Sequence, residues 1–121
     1  MKALFISFPA SDYEASKAFY ENVIGLPVDI ESDDGPHRFT NYKLGGLVLK
    51  IFEWADEWHG AGHSGLFIET EELDSVIDRV RTKGGGRFEI VVQSWGGRSC
   101  TVQDPFGNLF DLIDANMNGD A

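Results

Sequence analysis

Cysteine is nearly absent from this sequence: Cys100 is the only one among 121 residues. No intrachain disulfide can form, which fits a reducing, cytoplasmic setting. The run Ser99-Cys100-Thr101-Val102 reads as strand, so Cys100 is expected as a small core residue and not as a nucleophile. Basic residues are scarce, with 10 Lys and Arg against 20 Asp and Glu, a formal net charge of -10. Nucleic acid is thereby disfavoured as a partner, because phosphate contacts need clustered Lys and Arg. Such a field draws a cationic ligand, although solubility is the plainer effect of the charge. Long apolar runs are missing too, so no membrane span is expected. Residues 1–8 carry one Lys and an apolar run too short for the core of a secretion signal; they read better as a first strand. Also missing are a P-loop, a dinucleotide-binding glycine fingerprint after a strand, and a G-x-S-x-G elbow. Gly84-Gly85-Gly86 lacks the Lys-Ser/Thr of a phosphate cradle and closes a helix instead of opening one.

Hydrophobic residues make up 42% of the chain, enough for one folded domain with a real core. Residues 4–8 read as a first strand. Ser11-Asp12-Tyr13-Glu14 is a capping-box pattern, with Ser11 as the cap and Glu14 reaching back to it. A helix is predicted from there to residue 24, with Tyr13, Phe19, Tyr20, Val23 and Ile24 as its apolar side. Gly25 is placed as the left-handed residue after that helix, and Pro27 stops continuation. Residues 28–31 begin a second strand and 32–36 form a turn or exposed loop. Residues 38–44 and 47–54 read as a hairpin across Gly45-Gly46. After a polar, glycine-containing stretch comes strand 66–69. A second helix follows at 71–83, with Leu73, Val76, Ile77 and Val80 as a one-face stripe. Acids open it and bases close it, as the helix dipole favours. Strands at 88–92, 99–102 and 109–113 complete the pattern. In the last strand Asp111 alternates onto a face with Leu109 and Ile113, where a carboxylate must be paired, ligand-facing or at a wet cavity.

The order is strand, helix, three strands, and then the same again. Asp12-Tyr13 and Glu72-Leu73 open the two helices sixty residues apart, and Gly25 and Gly85 end them at the same offset. The halves read as copies of one βαβββ module: residues 1–54, a linker at 55–64, residues 65–114, and a tail at 115–121, all within a single α+β domain. Further marks are Asp12, Ser16 and Phe19-Tyr20-Glu21-Asn22-Val23-Ile24-Gly25-Leu26 in the first module. In the second they are Gln93-Ser94-Trp95-Gly96 and the turn Asp104-Pro105-Phe106-Gly107-Asn108. With these marks and the repeat, the chain resembles the vicinal oxygen chelate superfamily, also called the glyoxalase/bleomycin resistance/dioxygenase family, over nearly its whole length. The resemblance implies two βαβββ modules forming a curled eight-stranded mixed sheet around a cavity, often within a homodimer.

Metal-dependent members of that family, lyases and dioxygenases among them, carry four ligands, one on each of strands one, four, five and eight. Carried over by position, those slots fall on Phe5, Lys50, Gly65 and Asp111. Only Asp111 keeps a ligand chemistry, because Phe and Gly offer no donor and Lys is protonated at neutral pH. No cofactor is therefore expected. His63 lies two residues before Gly65 and would enter the site under a shifted alignment, which leaves a displaced divalent-metal site as the alternative; a histidine at a loop edge is the plainer reading. His37 and His59 sit in loop-like surroundings. Lys50 and Asp111 are equivalent in the two modules, and are expected either to pair with each other or to hold opposite ends of a polar ligand. A third reading makes Lys50 an acid or base with a depressed pKa. The resemblance is closest in character to the metal-free, bleomycin-binding resistance proteins, which sequester a cationic aromatic antibiotic. The expected small-molecule site is accordingly Phe5, Lys50, Phe52, Trp54, Trp95 and Asp111, with Trp58 as a lid residue or a plain surface aromatic.

Overall fold

The computed structural model describes residues 1, 4–33, 35, 37–54, 63–83, 87–92 and 97–115. The first module contains β1 (Phe5–Ala10), α1 (Tyr13–Ala18) running into a π-helical turn (Phe19–Ile24), β2 (Val28–Ser32), β3 (Phe39–Leu44) and β4 (Leu47–Glu53). The second contains β5 (His63–Thr70), α2 (Leu73–Lys83), β6 (Arg87–Val92), β7 (Arg98–Gln103) and β8 (Leu109–Asp114). Residues 55–62 of the expected linker 55–64 (Trp58 and His59 among them), the glycines 84–86, Trp95 with its neighbours at 93–96, and the tail beyond Ala115 lie outside the described residues, while His63 and Ser64 belong to β5.

Local chemistry explains most element ends. The helix cap is Asp12 and not Ser11: the Asp12 carboxylate accepts from the Ala15 N–H at 3.1 Å. Glu14, the other half of the expected capping box, pairs instead with Arg38 at 3.0 Å. The single α-helix expected to residue 24 changes pitch after Ala18. In the π-helical turn Phe19, Tyr20, Val23 and Ile24 are all buried, and the Gly25 N–H donates to the Tyr20 carbonyl five residues back at 3.1 Å. Gly25 then takes φ +91°, the left-handed geometry its position called for. Arg79 of α2 reaches across to donate to the Val23 and Ile24 carbonyls at 2.7 and 3.2 Å, filling acceptors left open at the helix end. In α2 the predicted stripe of Leu73, Val76, Ile77 and Val80 is the buried side.

The eight strands form two four-stranded sheets, ordered β1-β4-β3-β2 and β5-β8-β7-β6. They are not joined into one sheet of eight, since the ladders end at β1 and β5. In each sheet one pair is parallel, β1 with β4 and β5 with β8, and the rest are antiparallel. The repeat extends to register: Ser7 lies opposite Lys50, as Phe67 lies opposite Asp111. One face of each sheet packs under the helices. Phe8, Tyr20, Tyr42 and Phe110 form the aromatic centre of a core shared by the two modules, with ring centroids 5.9 to 6.3 Å apart. Alternation turns Phe5, Ser7, Asn41, Lys50 and Phe52 of the first sheet to the opposite face, and Thr101 and Asp111 of the second.

The turn Asp104-Pro105-Phe106-Gly107-Asn108 clamps the modules together. Asp104 is 3% exposed. One of its oxygens accepts from the Phe106 and Asn108 backbone N–H groups, both at 2.9 Å. The other accepts from the Asn108 side chain at 2.8 Å and from the Tyr20 hydroxyl, in the first module, at 2.7 Å. The most recognisable stretch of the sequence is therefore architectural.

Candidate functional site

The first sheet's free face opens into a cleft of about 410 Å3, within the size range of small-molecule sites. Phe5, Ser7, Phe39, Lys50 and Phe52 form its walls, with Gly35 and His37 at the loop side. Strand alternation delivers Phe5 and Ser7 together, and the β3–β4 hairpin sets Phe39 opposite Phe52. The Lys50 ammonium lies 4.7 Å from the Phe5 ring centre and 4.5 Å from that of Phe39, held by the electron-rich ring faces. Trp54 extends the wall, edge-on to Phe52 at 5.7 Å, and is 38% exposed.

Of the six expected site residues, Phe5, Lys50 and Phe52 meet in this cleft and Trp54 adjoins it through Phe52. Trp95 lies outside the described residues. Asp111 belongs to a different cluster, and the expected Lys50–Asp111 ion pair is not formed. The Asp111 carboxylate accepts from the Thr101 hydroxyl at 2.8 Å and contacts His63 Nε2 at 2.9 Å. Each of the two equivalent positions finds its neighbours within its own sheet, so neither side chain reaches across.

The His63 geometry has a definite cause. Gly65 adopts φ +84°, and the β5–β8 register slips between His63 and Phe67. That bulge swings His63 to Asp111, so the histidine expected at a loop edge is the first residue of a strand. Its Nδ1 accepts from the Gly65 N–H at 2.8 Å. The neutral ring then carries its proton on Nε2 and donates it to Asp111. Among the described residues no group of three or more His, Cys, Asp or Glu side chains stands close enough to hold a metal ion.

Ser7 and Phe39 of the cleft carry no functional signal of their own in the sequence, nor does Thr101 beside Asp111, and His37 reads there as a loop residue. Counting back across Gly45-Gly46 pairs Phe39 with Phe52 and Asn41 with Lys50, so the hairpin register held that signal. A second hollow, about 300 Å3, lies between α1 and the β2–β3 region. Most of its charges are paired: Lys17 with Glu31, and Arg38 with Glu14 and with Glu53. Cys100 is fully buried, and burial pushes its thiol up to about 11, so it is a core residue and no nucleophile. No helix among the described residues is long and apolar enough to cross a membrane.

The model of the Glyoxalase/Bleomycin resistance protein/Dioxygenase superfamily matches residues 3–112. A lactoylglutathione lyase of Arabidopsis thaliana is 25% identical over 91% of this chain, which spans 43% of that protein's length. A glyoxalase/bleomycin resistance protein from Streptomyces sp. CB03234 superposes with a TM-score of 0.72 at 26% identity, covering 93% of this chain and 99% of its own. TnmS3, an antibiotic binding protein from the same Streptomyces, superposes at 0.71 with 24% identity over 93% and 94% of the two chains.

Proposed function

The chain belongs to the Glyoxalase/Bleomycin resistance protein/Dioxygenase superfamily, and within it we propose a protein that binds a small organic molecule without transforming it on a metal. The observation that carries this reading is the cleft itself. Three phenylalanines and a lysine converge on a space of ligand size, and two of them, Phe5 and Lys50, stand where a metal-dependent site would need donors. The likeness to an antibiotic binding protein, TnmS3, points the same way.

The donor set does not fit a divalent ion. Phe5 has no donor atom, the Lys50 ammonium is held by two rings, and Gly65 has no side chain. Among the described residues around these slots, Asp111 and His63 are the metal-compatible groups brought together, and they bond to each other. Catalytic zinc sites use about three protein ligands. One observation favours a second reading, a metal-dependent lyase with a displaced site: the bulge at Gly65 brings His63 to Asp111 at all.

Calorimetric titration with Ni, Zn and Mn separates the two. The expected result is no stoichiometric heat, together with saturable quenching of tryptophan fluorescence by flat aromatic compounds that Phe52→Ala weakens. Tight one-to-one metal binding that Asp111→Ala abolishes would overturn the binding-protein reading.

A further inference from the structure

Resting on the binding reading above, we infer that the cleft selects a flat aromatic ligand carrying an anionic oxygen, a carboxylate or phenolate, against the sign of the protein's net charge. The overall charge of -10 acts at long range. Over a Debye length of about 8 Å at physiological salt that field is largely screened. What a bound ligand meets is the local wall, and among the described residues no carboxylate lines it.

Lys50 sets the sign. Among the described residues it makes no ion pair; Arg79, Arg81 and Lys83 make none either, but none of these lines the cleft. The Lys50 ammonium is flanked by the Phe5 and Phe39 ring faces at 4.7 and 4.5 Å. Ring faces hold a cation but accept only weakly from its N–H groups, so donor capacity is left over for a ligand oxygen. Ser7, opposite Lys50 in the parallel register, adds a hydroxyl at the same place. That face is polar at its floor and aromatic at its walls. A planar ring between Phe5, Phe39 and Phe52, with an anionic oxygen directed at Lys50, satisfies both parts. A cationic ligand would set like charges together in a partly desolvated cleft.

Three probes that share one ring system and differ in charge test this: 2-naphthoate, 2-naphthylmethanol and 2-naphthylmethylammonium, titrated by calorimetry. The expected order of affinity is naphthoate first and the ammonium last. Lys50→Met should weaken naphthoate about tenfold or more, the worth of a charged hydrogen bond, and leave naphthylmethanol nearly unchanged. Retained naphthylmethanol binding shows that the variant's cleft is intact, and Lys50→Arg should keep the naphthoate preference. If the ammonium probe binds best, or Lys50→Met leaves naphthoate affinity unaltered, the anion inference is overturned while the binding reading stands. If none of the three binds at millimolar concentration, the binding reading falls and this inference with it.

Discussion

Replacing Tyr20 by phenylalanine removes one oxygen from the point where the modules are tied. The hydroxyl donates to Asp104 at 2.7 Å across 84 residues of sequence, and neither residue is more than 3% exposed. Burial, then the Asp104 charge, pushes the Tyr20 phenol well above its ordinary value of 10.0, so it remains a donor at all working pH values. The ring keeps its contacts with Phe8, Phe19 and Phe110, so the change isolates the hydrogen bond. A hydrogen bond to a charged group contributes about 1.5–3 kcal/mol, and here both partners are buried away from bulk solvent. Asp104 keeps its three other donors, which places the expected loss near the middle of that range, about 2 kcal/mol. In a chain of this length that corresponds to a fall in Tm of roughly 8 °C. With an m-value of about 2 kcal/mol per molar urea, the midpoint should drop by about 1 M at constant m. Urea unfolding followed by far-UV circular dichroism reads it directly. A midpoint shift below about 0.2 M would mean that the Asp104 anchor is sustained by its own turn and that the link between modules carries little.

Gly65→Ala tests the bulge. Nothing lies within 4 Å of where the new Cβ would stand, so the cost is that of φ +84° alone, about 1–2 kcal/mol. Urea unfolding should show that loss, and the nitrogen chemical shifts of His63 should move as its contact with Gly65 changes; an unaltered midpoint would show that β5 tolerates another register. Acid should destabilise the protein in a defined window. Arg38 holds Glu53 below its ordinary 4.5, Lys17 does the same for Glu31, and Arg98 holds Asp74 below 3.8. Folded values lower than unfolded ones give stability that is present above the unfolded values and lost as pH falls through the folded ones. The urea midpoint should therefore be level above about pH 5 and decline below it, less steeply in high salt, and a midpoint unchanged down to about pH 3 would refute the assignment.

Much of the architecture was legible because its causes are local. The apolar stripe of α2, the turn at Gly45-Gly46 and the left-handed Gly25 each follow from a few neighbouring residues. The π-helical turn was not legible, since apolar spacing alone does not separate an α-helix from one that widens to bury Phe19, Tyr20, Val23 and Ile24 together. The start of β5 was missed for a similar reason. Gly65 read as linker composition, while the chain uses its left-handed conformation to continue a strand through a bulge. Strand parity sorted Phe5, Lys50 and Phe52 onto one face correctly, because alternation is a property of the backbone.

Parity does not say what a side chain meets, and here the symmetry of the repeat misled. Lys50 and Asp111 occupy the same place in two copies of one module, and opposite charges at equivalent places suggest a pair. Yet each lies in the second strand of its own sheet, flanked on both sides by that sheet's strands. The flanking residues decide the partner. In the first module they are Ser7 and Asn41, with Phe5 and Phe39 one step along, and they make an aromatic cradle around a cation. In the second they are Phe67 and Thr101, with His63 brought in by the bulge, and they make a hydrogen-bonded cluster around an anion. The two modules share a backbone plan but not a chemistry. A cleft whose described wall bears Lys50 and no acid can differ in sign from the molecule around it, and net charge is therefore a poor guide to what such a cleft would accept.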